Sequence, residues 1–413
     1  MEYNLSTQDA YAALKIKDFM RFITARFLLT FAIQMQSVIV GWQIYQLTHD
    51  ALSLGLIGMA EAIPFFCVAL FAGHVADIVK RKKIILITNA VYFCCAIALF
   101  LIATSLHHAL AIFGVVPIYI IIFITGLTRG FMSPAQTAFM AQLVPRELFG
   151  NASTWNSVTW QVAEITGPAA AGLLCGFFSI GLGYFFVALF TAIGMLFFSF
   201  TKNKPLPERS KTETIWQSLS AGIKFVFNNQ VLLSAISLDM FAVFFGGAVC
   251  ILPIFADQVL HIGAEGLGLL RAAPACGAVI MSFVQAHNPL FKNAGRNILV
   301  CVFIFGLCII TFALMRNFYA AFLMLMLSGA VDNVSVIIRA TIIQLFTPDE
   351  MRGRVSSVNS IFIGSSNELG SFESGLAAKL LGLIPSIIFG GSMTLLVVAA
   401  VRKFAPELRK LKL

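Results

Sequence analysis

From one end to the other the chain alternates long apolar runs with short polar turns. The runs are about 20 residues long, enough for a helix to cross roughly 30 Å of hydrocarbon. Twelve spans are predicted, over residues 19–46, 53–78, 84–106, 113–140, 152–178, 181–201, 231–257, 265–286, 297–315, 318–345, 355–380 and 384–402. The connections are short except at residues 202–230, which are polar, carry Pro205 and Pro207, and end in the pattern of a short amphipathic surface helix. This segment divides the chain into a six-span half at 1–201, a linker at 202–230 and a second six-span half at 231–413 with a short basic tail.

The polar turns repeat. "VPRELFGNASTWNS" begins at Val144 and "TPDEMRGRVSSVNS" at Thr347. At an offset of 203 Pro145 falls on Pro348, Glu147 on Glu350, Gly150 on Gly353 and Asn156-Ser157 on Asn359-Ser360, continuing to Gly167 on Gly370 and Gly172 on Gly375. A weaker echo pairs "SLGLIGMA" from Ser53 with "GLGLLRAA" from Gly266 at an offset of 213. The ten-residue difference places a longer connection in the first half, at "SLHHALAIFG". The predicted fold class is therefore all-α membrane protein: twelve transmembrane helices in two pseudo-symmetric six-helix bundles, whose facing halves make a cleft near the midplane.

Composition agrees. Of 413 residues 59% are hydrophobic and 11% charged, against about 25% charged in a soluble domain. The N-terminal segment is polar for about 18 residues and has no cleavable signal pattern. Charge sets the orientation. The N-terminal segment, alternate loops and C-terminal tail hold 22 of the 28 Lys and Arg residues, whereas the opposite side has Arg316 and Lys379. The positive-inside rule then places both termini in the cytoplasm and the chain, multi-pass, in the inner (plasma) membrane. The net charge of +9 is thus topology and contact with membrane lipids, with no nucleic acid expected. The eight cysteines lie in apolar runs without a C-x-x-C pair and read as small buried hydrophobes. No Walker loop, zinc or haem spacing appears, so no cofactor or metal is expected, and His107-His108 in an outer loop is not read as a metal site.

Two motifs carry a family resemblance. After the second span the chain reads "GHVADIVKRKK", with Gly73, Asp77, Arg81 and Lys82 on the G-x-x-x-D-R-x-G-R-R/K signature of the major facilitator superfamily; Ile78 and Lys80 depart from it. Span five contains "EITGPAAAG", similar to the Gly-Pro motif of the antiporter branch, with Gly167, Pro168 and Gly172 in place and Ala163 where an earlier Gly is usual. With the two polar turns, the chain resembles the drug:proton antiporter-3 group of that superfamily over its whole length. The resemblance implies a proton-coupled exporter of siderophores or macrolide-like drugs; a monomer is the default expectation.

The motif residues also have a direct physical reading. Gly73 permits close helix approach. Asp77 can cap the N-terminus of span eleven, where the helix dipole favours an anion. Arg81 can bind that anion or a lipid phosphate, and together these residues form an expected cytoplasmic gate. Gly167-Pro168 removes one backbone hydrogen bond and permits tight packing or a bend.

Ionisable residues inside the spans carry the functional expectation: Arg26, Glu61, Arg129, Glu164, Asp239, Arg271, Asp332, Arg339, Glu368 and Glu373. An ionised residue at the bilayer centre costs about 2.5–3.5 kcal/mol, so ten facing lipid would cost roughly 25–35 kcal/mol. They must face one another or a wet cavity. Spans three, six, nine and twelve have none in their interiors, and in the superfamily fold those four are the outer helices. Arg129 and Glu164 are expected to pair near the midplane, with Asp332, Asn333, Asn367 and Glu368 at similar depth in the second half. Asp239 and Arg339 are expected in the cytoplasmic third as a further gate pair, and Glu61 near the outer face. Gln36 and Gln43, seven apart on one helical face, add neutral hydrogen bonding to the cavity. Proton coupling needs a carboxylate whose affinity depends on which side the cavity opens to; Glu164, Glu368 and Asp332 are the candidates.

The expected function is secondary transport, not enzymology: proton-coupled export of an amphiphilic small-molecule substrate by alternating access. An importer or facilitator of the same fold, and a non-transporting receptor or scaffold, are the alternatives.

Overall fold

The computed structural model describes residues 9–204, 215–287, 293–348 and 351–412. They are almost entirely helical: α1 Lys17–Thr48, α2 Ala51–Ile78, α3 Arg81–Thr104, α4 His107–Phe113, α5 Val116–Leu143, α6 Phe149–Phe177, α7 Ile180–Ser199, α8 Ile215–Asn228, α9 Gln230–Gly246, α10 Leu252–Gln258, α11 Ala264–His287, α12 Ala294–Leu314, α13 Phe318–Phe346, α14 Arg352–Leu381, α15 Leu383–Phe404 and α16 Pro406–Lys410. Side-chain caps start several of them. Ser179 accepts from the Leu182 amide, Asn229 from Leu232, and Asn317 from Tyr319 and Ala320, each satisfying donors that a helix leaves open.

Among the described residues ten helical segments are long and apolar enough to cross a membrane. α6 and α14, at 29 and 30 residues, are long enough but too polar to stand among the ten. They are the two helices that follow the repeated turn. The ten-residue difference between the repeats appears as α4, closed by Gly114 at φ +57°. The corresponding link in the second half is only Met315–Asn317.

The chain packs as two units. One comprises Met1–Gln43 and Ile63–Lys211, the other Ile44–Ala62 and Thr212–Leu413. In the first, α3 packs on α5 and α7, around a core that includes Phe22, Phe139 and Phe198. The N-terminal segment folds onto the start of α6: Asn151 accepts from the Ala13 amide at 3.1 Å and donates to the Ala10 carbonyl at 2.7 Å, and the Trp155 indole donates to the same carbonyl.

The second unit repeats this arrangement with different parts. α8, from the linker, covers the start of α14 with Val226 against Val355 and Val358, and Gly222 sits against the Arg354 backbone. α11 packs on α13 and α12 on α13 and α15. The expected seventh span is not continuous: α9 stops at Gly246, a 3-10 turn covers Ala248–Ile251, and α10 resumes at Leu252. Carbonyls near the break are taken up by neighbours. Ser374 of α14 donates to Gly247, and Thr394 of α15 to Ala242, both at 3.3 Å. Irregular backbone survives at this depth only where protein satisfies it.

Small residues set the closest helix approaches. A Cβ at Gly277 would lie 1.8 Å from the Met326 carbonyl oxygen, and one at Gly329 2.0 Å from that of Pro274. Gly277→Val should therefore destabilise the protein by about 3 kcal/mol, the upper end of typical overpacking, seen as a lowered melting temperature in detergent. Gly150→Ala, where an added Cβ meets nothing within 4 Å, should leave it unchanged or slightly raised.

Candidate functional site

None of the ten ionisable residues predicted inside the spans is exposed: Asp239 and Arg339 are buried and the other eight are half-buried. In the first unit Glu164 lies on α6 and accepts a hydrogen bond from the indole of Trp160, one turn earlier, at 3.1 Å. Pro168 has no N–H to offer the Glu164 carbonyl four residues back, which loosens the helix at this carboxylate. One residue before the proline, Gly167 brings α6 onto α1: a Cβ there would lie 2.8 Å from that of Gln34. Gly172 is buried one turn further on, and Arg129 is half-buried on α5. Gln43 of α1 accepts from the buried Tyr184 hydroxyl at 2.7 Å, and the buried Gln36 keeps its side-chain oxygen without a protein partner.

On the basic side of this unit Arg81 donates to the Ala138 carbonyl at 3.0 Å, and Lys82 to the carbonyls of Ser199 and Thr201. Ser199 closes α7 and Thr201 lies just beyond it, where a cation is favoured by the helix dipole. Arg81, at the start of α3, thus ties that helix to α5 at a carbonyl five residues before its end. The side chains of Gly73 and Asp77 lie outside the described residues.

In the second unit Asp239 of α9 and Arg339 of α13 form an ion pair with about one-twentieth of either side chain exposed. It is flanked by apolar residues of α9, α12 and α13, among them Leu238, Ala242, Cys301 and Ile338. Asp332 lies two turns before Arg339, half-buried, and its neighbour Asn333 accepts from Ser282 of α11 at 3.2 Å. On α14, Asn367 is exposed and donates to the Ile363 carbonyl, whereas Glu368 is half-buried.

The turn following α1 holds a second polar group that sequence reasoning passed over. The Tyr45 hydroxyl donates to Asp257 of α10 at 2.5 Å. Asp50 caps α2 through the amide and hydroxyl of Ser53, both at 3.0 Å, and meets Lys379 of α14 at 3.6 Å. Gly55 and Gly58 lie against Gly375, Ser371 and the backbone of Phe372 and Glu368. The signal was present in the repeat: at an offset of 212 "YQLTH" from Tyr45 falls on "DQVLH" from Asp257. Both closing histidines, His49 and His261, have positive φ, and the two residues that open these segments bond to each other. The longer repeat holds another missed pair. Asn156 and Asn359, matched at 203, each bury a side-chain oxygen without a protein partner.

A cleft of about 490 Å³ is lined by Gln258, His261, Arg316 and Pro385 and contains none of the residues chosen from sequence. Among the described residues no three His, Cys, Asp or Glu side chains are grouped to hold a metal ion. All eight cysteines are unpaired. Cys95, Cys301 and Cys308 are buried as expected, but Cys67 and Cys94 are on the protein surface, where an apolar thiol faces no penalty in a lipid-facing position.

A family profile described as transmembrane secretion effector matches residues 8–412. The enterobactin exporter EntS of Salmonella choleraesuis (strain SC-B67) is 26% identical over 392 residues, covering 92% of both chains. That of Shigella boydii serotype 18 is 27% identical over 392 residues, 92% of this chain and 91% of the relative. Among solved structures, a peptide transporter POT in complex with alafosfalin superposes with a TM-score of 0.76 at 11% identity, over 98% of this chain and 99% of that one. A bacterial homologue of the human lysosomal transporter Spinster, inward-facing and unoccupied, superposes with a TM-score of 0.71 at 14% identity, over 95% of each chain. The fold is that of the major facilitator transporters.

Asp50 yields a pH prediction. Partial burial would raise its carboxyl, but the hydrogen bonds from Ser53 and the charge of Lys379 outweigh this and hold it below the usual carboxylate range. A depressed carboxyl stabilises the fold above its unfolded value, about 3.9, and loses that contribution as pH falls through the folded value. The cap should therefore hold throughout pH 5–8. Asp50→Ala should cost about 1 kcal/mol, the usual worth of an N-cap, by the same amount at pH 5.5 and 7.5 in thermal unfolding.

Proposed function

This chain belongs to the transmembrane secretion effector family of major facilitator transporters, and from that premise we propose that it is a proton-driven exporter of amphiphilic small molecules. The observation that carries the reading is the placement of the ten ionisable residues, all buried or half-buried within long helices. A chain without transport to perform has no use for charges that cost about 2.5–3.5 kcal/mol each at the bilayer centre. Export rather than uptake is supported by the enterobactin exporters that the chain resembles over 92% of its length.

In this reading α6 and α14 complete a set of twelve spans, arranged as six-helix halves at 1–201 and 231–413 with 202–230 between them and both termini in the cytoplasm of a bacterial cell. Their low apolarity reflects the site they line rather than a surface position. Glu164 and Arg129 in the first half, and Asp332, Asn333, Asn367 and Glu368 in the second, line the substrate path with Gln36 and Gln43. Glu164, beside the Pro168 break, is placed to exchange a proton as the path opens to one side or the other, with Glu368 and Asp332 as the other candidates. Gly73, Asp77 and Arg81, with the Asp239–Arg339 pair, hold the cytoplasmic side. The substrate is a siderophore-like or drug-like compound with an apolar body and few charges, which suits half-buried charges set among Phe and Leu side chains. The transporter works as a monomer.

The test is proton flux in inverted membrane vesicles energised by respiration, with enterobactin, erythromycin and ethidium added in turn. At least one should dissipate the pH gradient with the wild type. Glu164→Gln should reduce that response at least tenfold while leaving expression and monodispersity unchanged. A compound taken up by intact cells through this protein, with no gradient loss in vesicles, would make it an importer instead. Full activity of Glu164→Gln would remove Glu164 from coupling.

A further inference from the structure

The cleft that holds none of the predicted residues has a chemistry of its own. Three segments of the second unit meet there: the end of α10 with Gln258, Val259 and His261, the turn between α12 and α13 with Arg316, and the start of α15 with Leu383 and Ile384. Its volume of about 490 Å³ falls within the range of small-molecule sites, roughly 300–1,000 Å³. The lining contains an arginine, a histidine and a glutamine but no Asp or Glu.

Arg316 is exposed and carries a planar fork of N–H donors that matches a phosphate or carboxylate. Among the described residues no carboxylate pairs with it. The acids nearest in sequence to His261 are turned elsewhere. Asp257 accepts from the Tyr45 hydroxyl at 2.5 Å, and the Glu265 carboxylate folds back over Gly263. Lys379, the other basic residue expected on this face, meets Asp50 at 3.6 Å. His261 is held by its own backbone, at φ +52°, and by Nδ1, which donates to the Asp257 carbonyl at 3.1 Å. Nε2 is then the ring atom left for a ligand, accepting from a hydroxyl or, when protonated, donating to an oxygen. α15 opens at Gly382 without a side-chain cap, so the Leu383 and Ile384 amides add the open donors of a helix start, while Pro385 has none.

We propose that this cleft binds the oxyanion of an acidic amphiphile, with Arg316 as its charge partner. The guanidinium takes two ligand oxygens side by side. His261 and Gln258 meet the remaining polar atoms, and Val259, Leu383 and Ile384 lie against the apolar part. A bare inorganic anion would leave most of the volume unfilled, whereas an amphiphile uses both the donors and the apolar lining. Two sources supply such a group: the phosphodiester of a membrane lipid, and an acidic group on a transported compound. The opening of the cleft on the outer face rests on the topology proposed above; the binding chemistry does not, and it makes no use of proton drive.

The experiment titrates full-length protein in dodecyl maltoside with octyl phosphate, with dioctanoyl phosphatidylglycerol, and with uncharged dioctanoylglycerol, following binding by thermophoresis. Wild type should bind at least one of the two anionic probes. Arg316→Gln should weaken that binding about tenfold, the worth of one charge-assisted hydrogen-bonded pair, and leave dioctanoylglycerol unchanged. His261→Asn, which tolerates the positive φ, should weaken it by a smaller factor. Lys379→Gln should stay within about twofold of wild type. Preference for phosphatidylglycerol makes the ligand a lipid, and binding of octyl phosphate alone makes it an acidic compound in transit. Failure of wild type to bind either anionic probe overturns the site. So does unchanged binding by Arg316→Gln, or an equal loss in Lys379→Gln, which would reduce the effect to the general charge of the face. Arg316 is exposed, so its substitution tests the site in folded protein. Because binding is read without transport, the site and the export reading stand or fall separately.

Discussion

Hydrocarbon solvates neither an ionised side chain nor an unpaired backbone carbonyl, and the unusual features of this protein are responses to that constraint. The ionisable groups in the spans are buried or half-buried. Carbonyls beside the break between α9 and α10 are met by Ser374 and Thr394. The Ala138 carbonyl of α5 is met by Arg81 and those at the end of α7 by Lys82, from the basic run that begins α3. What reads along the sequence as a positive patch for orientation is in space also a set of ties to neighbouring helices.

The internal duplication shows one polar turn serving two different neighbours. In the first half the N-terminal segment docks on the start of α6 through Asn151 and Trp155. In the second half α8 takes that place on α14 through an apolar contact. In each case a segment from elsewhere in the chain covers the start of the helix that follows the turn. α6 and α14, which follow the turns, are too polar to count among the apolar spanning helices, and they carry the half-buried Glu164, Glu368 and Glu373. Such residues lower the apolarity by which a span is recognised.

Most of the architecture was legible in the sequence. Eleven of the twelve predicted spans appear as long helices within a few residues of the predicted ends, because an apolar run of spanning length has few alternatives to helix. The exception is the seventh. Nothing in "FFGGAVCILPIF" demands a break, since Gly-Gly and Pro are tolerated inside membrane helices. The break depends on donors supplied by α14 and α15, more than 100 residues away. Glu164 accepts from Trp160 on its own helix, a contact that its depth along the span does not announce.

The sequence by itself determined which segments are helical, how the chain is duplicated, and that charges on the spans must be sheltered, because the transfer cost from water to hydrocarbon is a property of residue type and run length. Tertiary structure alone decided who shelters whom. It joined Asp239 to Arg339 at a separation of 100 residues, bonded Tyr45 to the residue that is its counterpart in the repeat, and placed Gly277 and Gly329 where two helix backbones meet. Those outcomes depend on rotation about helix axes and on shape complementarity between faces, which no local pattern of polar and apolar residues encodes.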